Sequence, residues 1–164
     1  MNLFEILFNG KTLAMLGAVM AAGLAGMGSA KGVGMVGEAA AGVVSEDPSK
    51  FGQTLLLQAL PGTQGIYGAL IAFLIMLKIG IMGTPVENLT MIQGLYIFLS
   101  SLPIAFVGYF SAIAQARVSV TGVMLVSKRP EEVAKGMIYA AMVETYAVLS
   151  LLVSFLLLNG IKVG

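Results

Sequence analysis

MIYAAMVETYAVLSLLVSFLLL, residues 137–158, is an apolar run with a single charged side chain, Glu144. A helix needs roughly 20 apolar residues to cross the hydrocarbon core of a bilayer, and this run supplies them. Glu144 sits well inside it. A carboxylate at that depth is expensive, and such residues commonly carry an ion or pair with a group that does. The run therefore predicts both a membrane-spanning helix and a functional position on it.

The rest of the chain agrees. Of its 164 residues, 58% are hydrophobic and only 10% charged, too few to cover a soluble globule. An integral membrane protein follows. Net charge is +1 and the basic residues form no stripe, so no nucleic-acid partner is expected. Cysteine and histidine are both absent. Disulfides, thiol catalysis, the usual zinc and haem ligation and histidine proton relays are thereby excluded. Without tryptophan, the interfacial belt falls to tyrosine and phenylalanine. The first ten residues contain Glu5 and no basic residue, unlike a secretory signal, so the first apolar stretch is expected to be retained.

Four long spans are predicted, at about 13–44, 52–82, 89–126 and 132–159. Their connections are Ser45-Glu46-Asp47-Pro48-Ser49-Lys50, Gly83-Thr84-Pro85-Val86-Glu87-Asn88 and Ser127-Lys128-Arg129-Pro130-Glu131-Glu132. Proline and short polar residues end one helix and cap the next. The first and third connections each begin with serine and place proline three residues later. This gives an all-α membrane protein of two tandem helical hairpins, 12–82 and 89–160. A segment 1–11 precedes them, a connection 83–88 joins them and a tail 161–164 follows. The repeat is parallel, unlike that of inverted-repeat transporters. Lys50, Lys128, Arg129 and Lys135 near one end, against Lys11, Lys78 and Lys162 near the other, slightly favour a cytoplasmic position for the loops at 45–50 and 127–132.

Counted along the helices from those loops, Lys31, Gln64, Gln115 and Glu144 lie at depths of about 20–24 Å. Thr63, Gln64 and Tyr67 are related by i+3 and i+4 steps and share a face with Leu60. Pro61 lacks an N–H and disturbs the helix there, leaving backbone carbonyls free for an ion if the segment is buried in protein. A carboxylate, two amide oxygens, a hydroxyl and a carbonyl form an all-oxygen set suited to a hard cation. One negative charge suits a monovalent ion. Taken singly, Gln64 or Gln115 is as readily helix-to-helix glue, and Thr63 could bond back to its own helix. The glycines of the first span, including Gly17, Gly23, Gly26, Gly28, Gly32, Gly34, Gly37 and Gly42, are expected to admit tight backbone approach. Lys31 is expected to meet anionic lipid headgroups rather than join the ion site. Arg117 can snorkel, and Glu38 is expected to be solvated.

These features resemble the proteolipid (K, or c) subunit of V-type ATPases, closest to the bacterial sodium-translocating members. The resemblance rests on the two tandem hairpins, on Leu60-Pro61-Gly62-Thr63-Gln64-Gly65-Ile66-Tyr67, and on Gln115 and Glu144. It spans essentially the whole chain. It implies a homo-oligomeric rotor ring that binds Na⁺ through Glu144, Thr63, Gln64, Gln115 and the Leu60 carbonyl, with Tyr67 bonded to the glutamate as a lock. It also implies a stator membrane subunit bearing a basic residue, a central-stalk subunit, and lipid inside the ring. The chain itself is expected to catalyse nothing. The complete polar set favours Na⁺, and a protonated glutamate using the same hydrogen bonds is the alternative. A self-standing oligomeric channel or structural tetraspan assembly is the rival of a different class.

Overall fold

Asn9 opens the first helix: its side-chain oxygen accepts the Thr12 N–H at 2.9 Å, satisfying one of the free donors of the first turn. The computed structural model describes residues 9–83, 86 and 88–163. Positions 1–8, Thr84, Pro85, Glu87 and Gly164 lie outside the described residues, and with them fall Glu5, much of the second connection and the end of the tail.

Helix α1 runs Gly10–Glu46, and the second span holds α2 (Phe51–Ala59) and α3 (Thr63–Lys78), separated by a 3₁₀ turn at Leu60–Gly62. Helix α4 is Met91–Lys128 and α5 is Val133–Gly160. The described residues thus contain four helical spans long and apolar enough to cross a membrane. The first and third connections fold alike. In each, an extended residue, Asp47 or Arg129, precedes a proline-led 3₁₀ turn, Pro48–Lys50 or Pro130–Glu132. The sequence repeat is therefore a repeat of backbone geometry.

The second span ends earlier than hydropathy indicated, at Lys78 rather than near Met82. Gly80 has φ +70°, its N–H bonds the Leu77 carbonyl, and the Ile81 N–H bonds the Met76 carbonyl. This paired closure with a left-handed glycine is the Schellman stop. Apolar residues continue past it, so composition alone ran on. At the start of α4, Thr90 and Gln93 form a reciprocal capping box.

Helices α1 and α4, the first of each hairpin, pack along one another most extensively, followed by α4 with α5 and α1 with α3. Close approach explains part of the glycine content. A Cβ on Gly28 would lie 2.6 Å from the Tyr109 backbone, and one on Gly68 would overlap the Ala21 carbonyl oxygen. Gly23, Gly26, Gly34 and Gly42 instead face open space, so the expectation of tight packing holds for only part of the glycine series.

Two apolar clusters form. One gathers Ala14, Ala18, Ile71, Ile75, Ile97 and Leu158, and the other Val36, Leu57, Ala116, Val123 and Val126. Between them lies a polar layer. The hairpins are also tied at the loop end, where Lys50 Nζ donates to the Ser127 carbonyl at 2.7 Å and Gln53 Nε2 to the Pro130 carbonyl at 3.1 Å. At the other end Gln93 Nε2 donates to the Lys162 carbonyl at 3.0 Å, closing the second hairpin on itself. Pro103 lies within α4, where its ring disturbs the local helix bonding. The next N–H, of Ile104, reaches the Ser154 hydroxyl on α5 at 3.1 Å.

Candidate ion-binding site

Glu144 is half-buried on α5 and meets side chains from both hairpins. The Tyr67 hydroxyl on α3 donates to its Oε1 at 2.6 Å. From α4, Gln115 Nε2 donates to its Oε2 at 3.4 Å and to the Ala140 carbonyl at 3.2 Å. The Gln115 Oε1 accepts from Gln64 Nε2 at 2.6 Å. The Thr63 hydroxyl donates to the Leu60 carbonyl at 3.0 Å and stands 3.4 Å from Gln64 Oε1. One connected network thus joins Thr63, Gln64, Gln115, Glu144 and Tyr67, drawn from α3, α4 and α5. Both glutamines are fully buried, so their amides must be satisfied by protein, and these bonds do so.

The 3₁₀ turn accounts for the grouping on the second span. Pro61 cannot donate, and the chain tightens so that the Thr63 N–H bonds the Leu60 carbonyl. Leu60 O, Thr63 Oγ1 and Gln64 Oε1 come from residues within about one turn of one another at this break. The Leu60 carbonyl accepts both the N–H and the hydroxyl of Thr63 and can take a cation only as that hydroxyl turns away, whereas Gln64 Oε1 has two lone pairs and accepts one hydrogen bond, which leaves capacity for a cation. Gln115 Oε1 has the same remaining capacity.

Among the described residues the side-chain ion pairs are Lys50 with Asp47 and Lys135 with Glu132, both near the loops. Glu144 has no basic partner there. With Ala141, Thr145, Val148 and Leu149, Glu144 lines an open apolar groove at the surface of the chain, so the carboxylate has non-polar surroundings on that side. No group of three or more acidic, histidine or cysteine side chains capable of holding a metal occurs among the described residues. A cation here would depend on neutral oxygens around a single carboxylate.

Lys31 shares the depth of this layer but lies on the exposed face of α1, as do Glu38 and, on α4, Arg117. The first span instead reaches the layer through Ser29, whose hydroxyl donates to the Gly62 carbonyl at 3.0 Å. Sequence reading did not find Ser29. A serine among glycines and alanines passes for a small packing residue. The Ala140 carbonyl was missed too, since a main-chain acceptor within a regular helix carries no side-chain signal.

The fold and this layer define a class: a multi-pass membrane protein built from a duplicated helical hairpin around one intramembrane carboxylate. Comparison with known proteins agrees. The family of ATP synthase C subunits matches the chain twice, over residues 16–75 and 98–157. The chain is 51% identical over 148 residues to the V-type sodium ATPase subunit K of Enterococcus hirae, covering 90% of this chain and 91% of that protein. It is 37% identical over 152 residues to the A-type ATP synthase subunit K of Methanocaldococcus jannaschii, covering 93% of this chain and 64% of that protein. The chain belongs to the family of ATP synthase C subunits, as a proteolipid of the V-type ATPase kind.

Proposed function

We propose that the chain is a rotor-ring subunit that carries Na⁺ across the membrane on Glu144 while ATP hydrolysis on other subunits drives rotation. The observation that carries this reading is a single half-buried carboxylate, bonded by Tyr67 and Gln115, without a basic partner and beside an apolar groove. Its charge calls for neutralisation before the site can pass lipid. The proposed ligands are the Glu144 carboxylate, Thr63 Oγ1, Gln64 Oε1, Gln115 Oε1 and the Leu60 carbonyl. Tyr67 holds the carboxylate in place from outside that set. The sodium reading draws support from the name of the Enterococcus hirae relative as well as from this oxygen count.

Binding neutralises the site. At a stator membrane subunit, a basic residue and aqueous access would loosen the ion by competing for the carboxylate. Rotation then carries the emptied site onward to be refilled. Further copies of the chain complete the ring, the loops at 45–50 and 127–132 face the cytoplasm and a central-stalk subunit, and Lys31 meets anionic lipid inside the ring.

Carbodiimide modification of Glu144 tests the proposal. Sodium should protect the carboxyl across a range of pH, and Glu144→Gln should abolish both labelling and sodium-coupled transport. Unchanged sodium uptake in that variant would sink the assignment. Modification that rises on acidification and is unaffected by sodium at any pH would make H⁺ the cargo.

A further inference from the structure

Serines in this protein mostly bond at home. Ser45, Ser100, Ser101, Ser111, Ser127 and Ser150 each donate to the carbonyl three residues back in their own chain segment. That is the usual local alternative for a helical hydroxyl. Ser29 departs from it. Its hydroxyl leaves α1 and donates to the Gly62 carbonyl, 33 residues away in sequence, at 3.0 Å.

Its target is the last residue of the turn that groups the oxygens of the second span. The Leu60 carbonyl accepts from both the N–H and the hydroxyl of Thr63, across Gly62. Helix α1 abuts the first turn of α3 at Ser29 and the 3₁₀ turn itself at Gly32, about one helical step apart. A Cβ on Gly65 would stand 3.1 Å from the Ser29 hydroxyl, and a Cβ on Gly32 would stand 2.9 Å from Pro61 Cβ. The 3₁₀ turn is thus pressed against α1 and tethered to it by one hydrogen bond. Ser29 is only 7% exposed, so water does not readily replace that bond.

We propose that Ser29 is a positioning residue of the ion site: its bond to Gly62 holds the Leu60–Gly62 turn against α1 and sets the spacing of the Leu60 carbonyl and Thr63 hydroxyl for a cation. The proposal rests on the sodium reading above. A cation ligated by oxygens on the turn senses the tether directly. The bonds from Tyr67 and Gln115 to Glu144 do not pass through the turn, so protonation of the carboxyl depends on the tether far less.

The test uses the full chain in its assembled, membrane-reconstituted form, with carbodiimide modification of Glu144 read by mass. Ser29→Ala should raise the sodium concentration giving half-protection by about 3- to 10-fold, the worth of one net hydrogen bond. The pH profile of modification in sodium-free buffer should stay in place. Ser29→Cys, which keeps a weak donor, should give a smaller shift, and Ser45→Ala should give none. Retention of the oligomer in mild detergent verifies assembly for each variant. Sodium protection in Ser29→Ala equal to that of the parent chain overturns the tether. So does a pH profile displaced as far as the sodium curve, which marks general disruption. Absence of sodium protection in the parent chain itself overturns the sodium reading and the tether together.

Discussion

Gly68→Ala tests the packing that presents the polar layer. The added methyl would overlap the Ala21 carbonyl oxygen and stand 2.6 Å from Ala25 Cβ. Ordinary carbon contacts lie near 3.5–4.0 Å, so α3 must retreat from α1 by about 1 Å. Helix α1 has little room to yield instead, because α4 packs along it more extensively than any other element. Such overpacking costs about 1–3 kcal/mol, partly offset by the roughly 0.5–1 kcal/mol that alanine gains over glycine in a helix. The expected net loss is about 1–2 kcal/mol. Gln64 and Tyr67 lie within one turn of Gly68 and would travel with it. Their 2.6 Å bonds to Gln115 and Glu144 would stretch toward the limit of about 3.5 Å. Gly42→Ala is the counterpart, since nothing lies within 4 Å of a Cβ at that position. Reversible unfolding of the monomeric chain in detergent micelles measures both variants. Gly68→Ala should unfold more readily and show weaker sodium protection of Glu144, whereas Gly42→Ala should match or slightly exceed the parent. Equal stability of the two variants would refute the reasoning.

Thr90→Ala removes the capping box of α4 and should cost about 0.5–2 kcal/mol, read by the same unfolding measurement. Ser154→Ala strips the Ile104 N–H of its cross-helix acceptor and should cost about 1–3 kcal/mol. Amide exchange at Ile104 should quicken relative to its neighbours, and unchanged exchange would count against the bond. Asp47 is held below its ordinary pKa of 3.8, first by the Ser49 hydroxyl, then by the Ser49 N–H and Lys50. A depressed carboxyl pKa stabilises the fold above the unfolded value, and that contribution is lost as pH falls through the folded value. The loop should therefore loosen on acidification below 3.8, and Asp47→Asn should remove that part of the acid sensitivity, followed by proteolysis at the loop.

The spans could be read from composition because a bilayer demands long apolar runs, and few other structures produce them. The polar cluster could be read in part because Thr63, Gln64 and Tyr67 share a helical face, and Gln115 and Glu144 share their depth. Depth, however, is only one of two coordinates on a helix. Lys31 and Ser29 are two residues apart, which differs little in height but about 200° in direction. The conspicuous lysine points outward and the inconspicuous serine points inward. Which face of α1 meets the second span is decided by packing against α3 and α4, and a helix rich in glycine and alanine offers little amphipathic signal to reveal it. The end of α3 was hidden for a related reason. Gly80 stops the helix by its backbone conformation, while the apolar side chains around it continue the hydropathy unbroken.

The hydrogen bonds from Lys50 and Gln53 to the carbonyls of Ser127 and Pro130 have a mechanical meaning. They splice the two reversals at one end of the molecule, while at the other Gln93 ties the start of α4 to the end of its own hairpin. A sideways load on either reversal is shared by all four spans instead of peeling one hairpin from its neighbour. The acceptors are main-chain carbonyls, so the ties depend on the identity of Lys50 and Gln53 and not on that of Ser127 or Pro130. The duplicated chain accordingly answers torque as one stiff spoke, and its two halves keep their relative height under load.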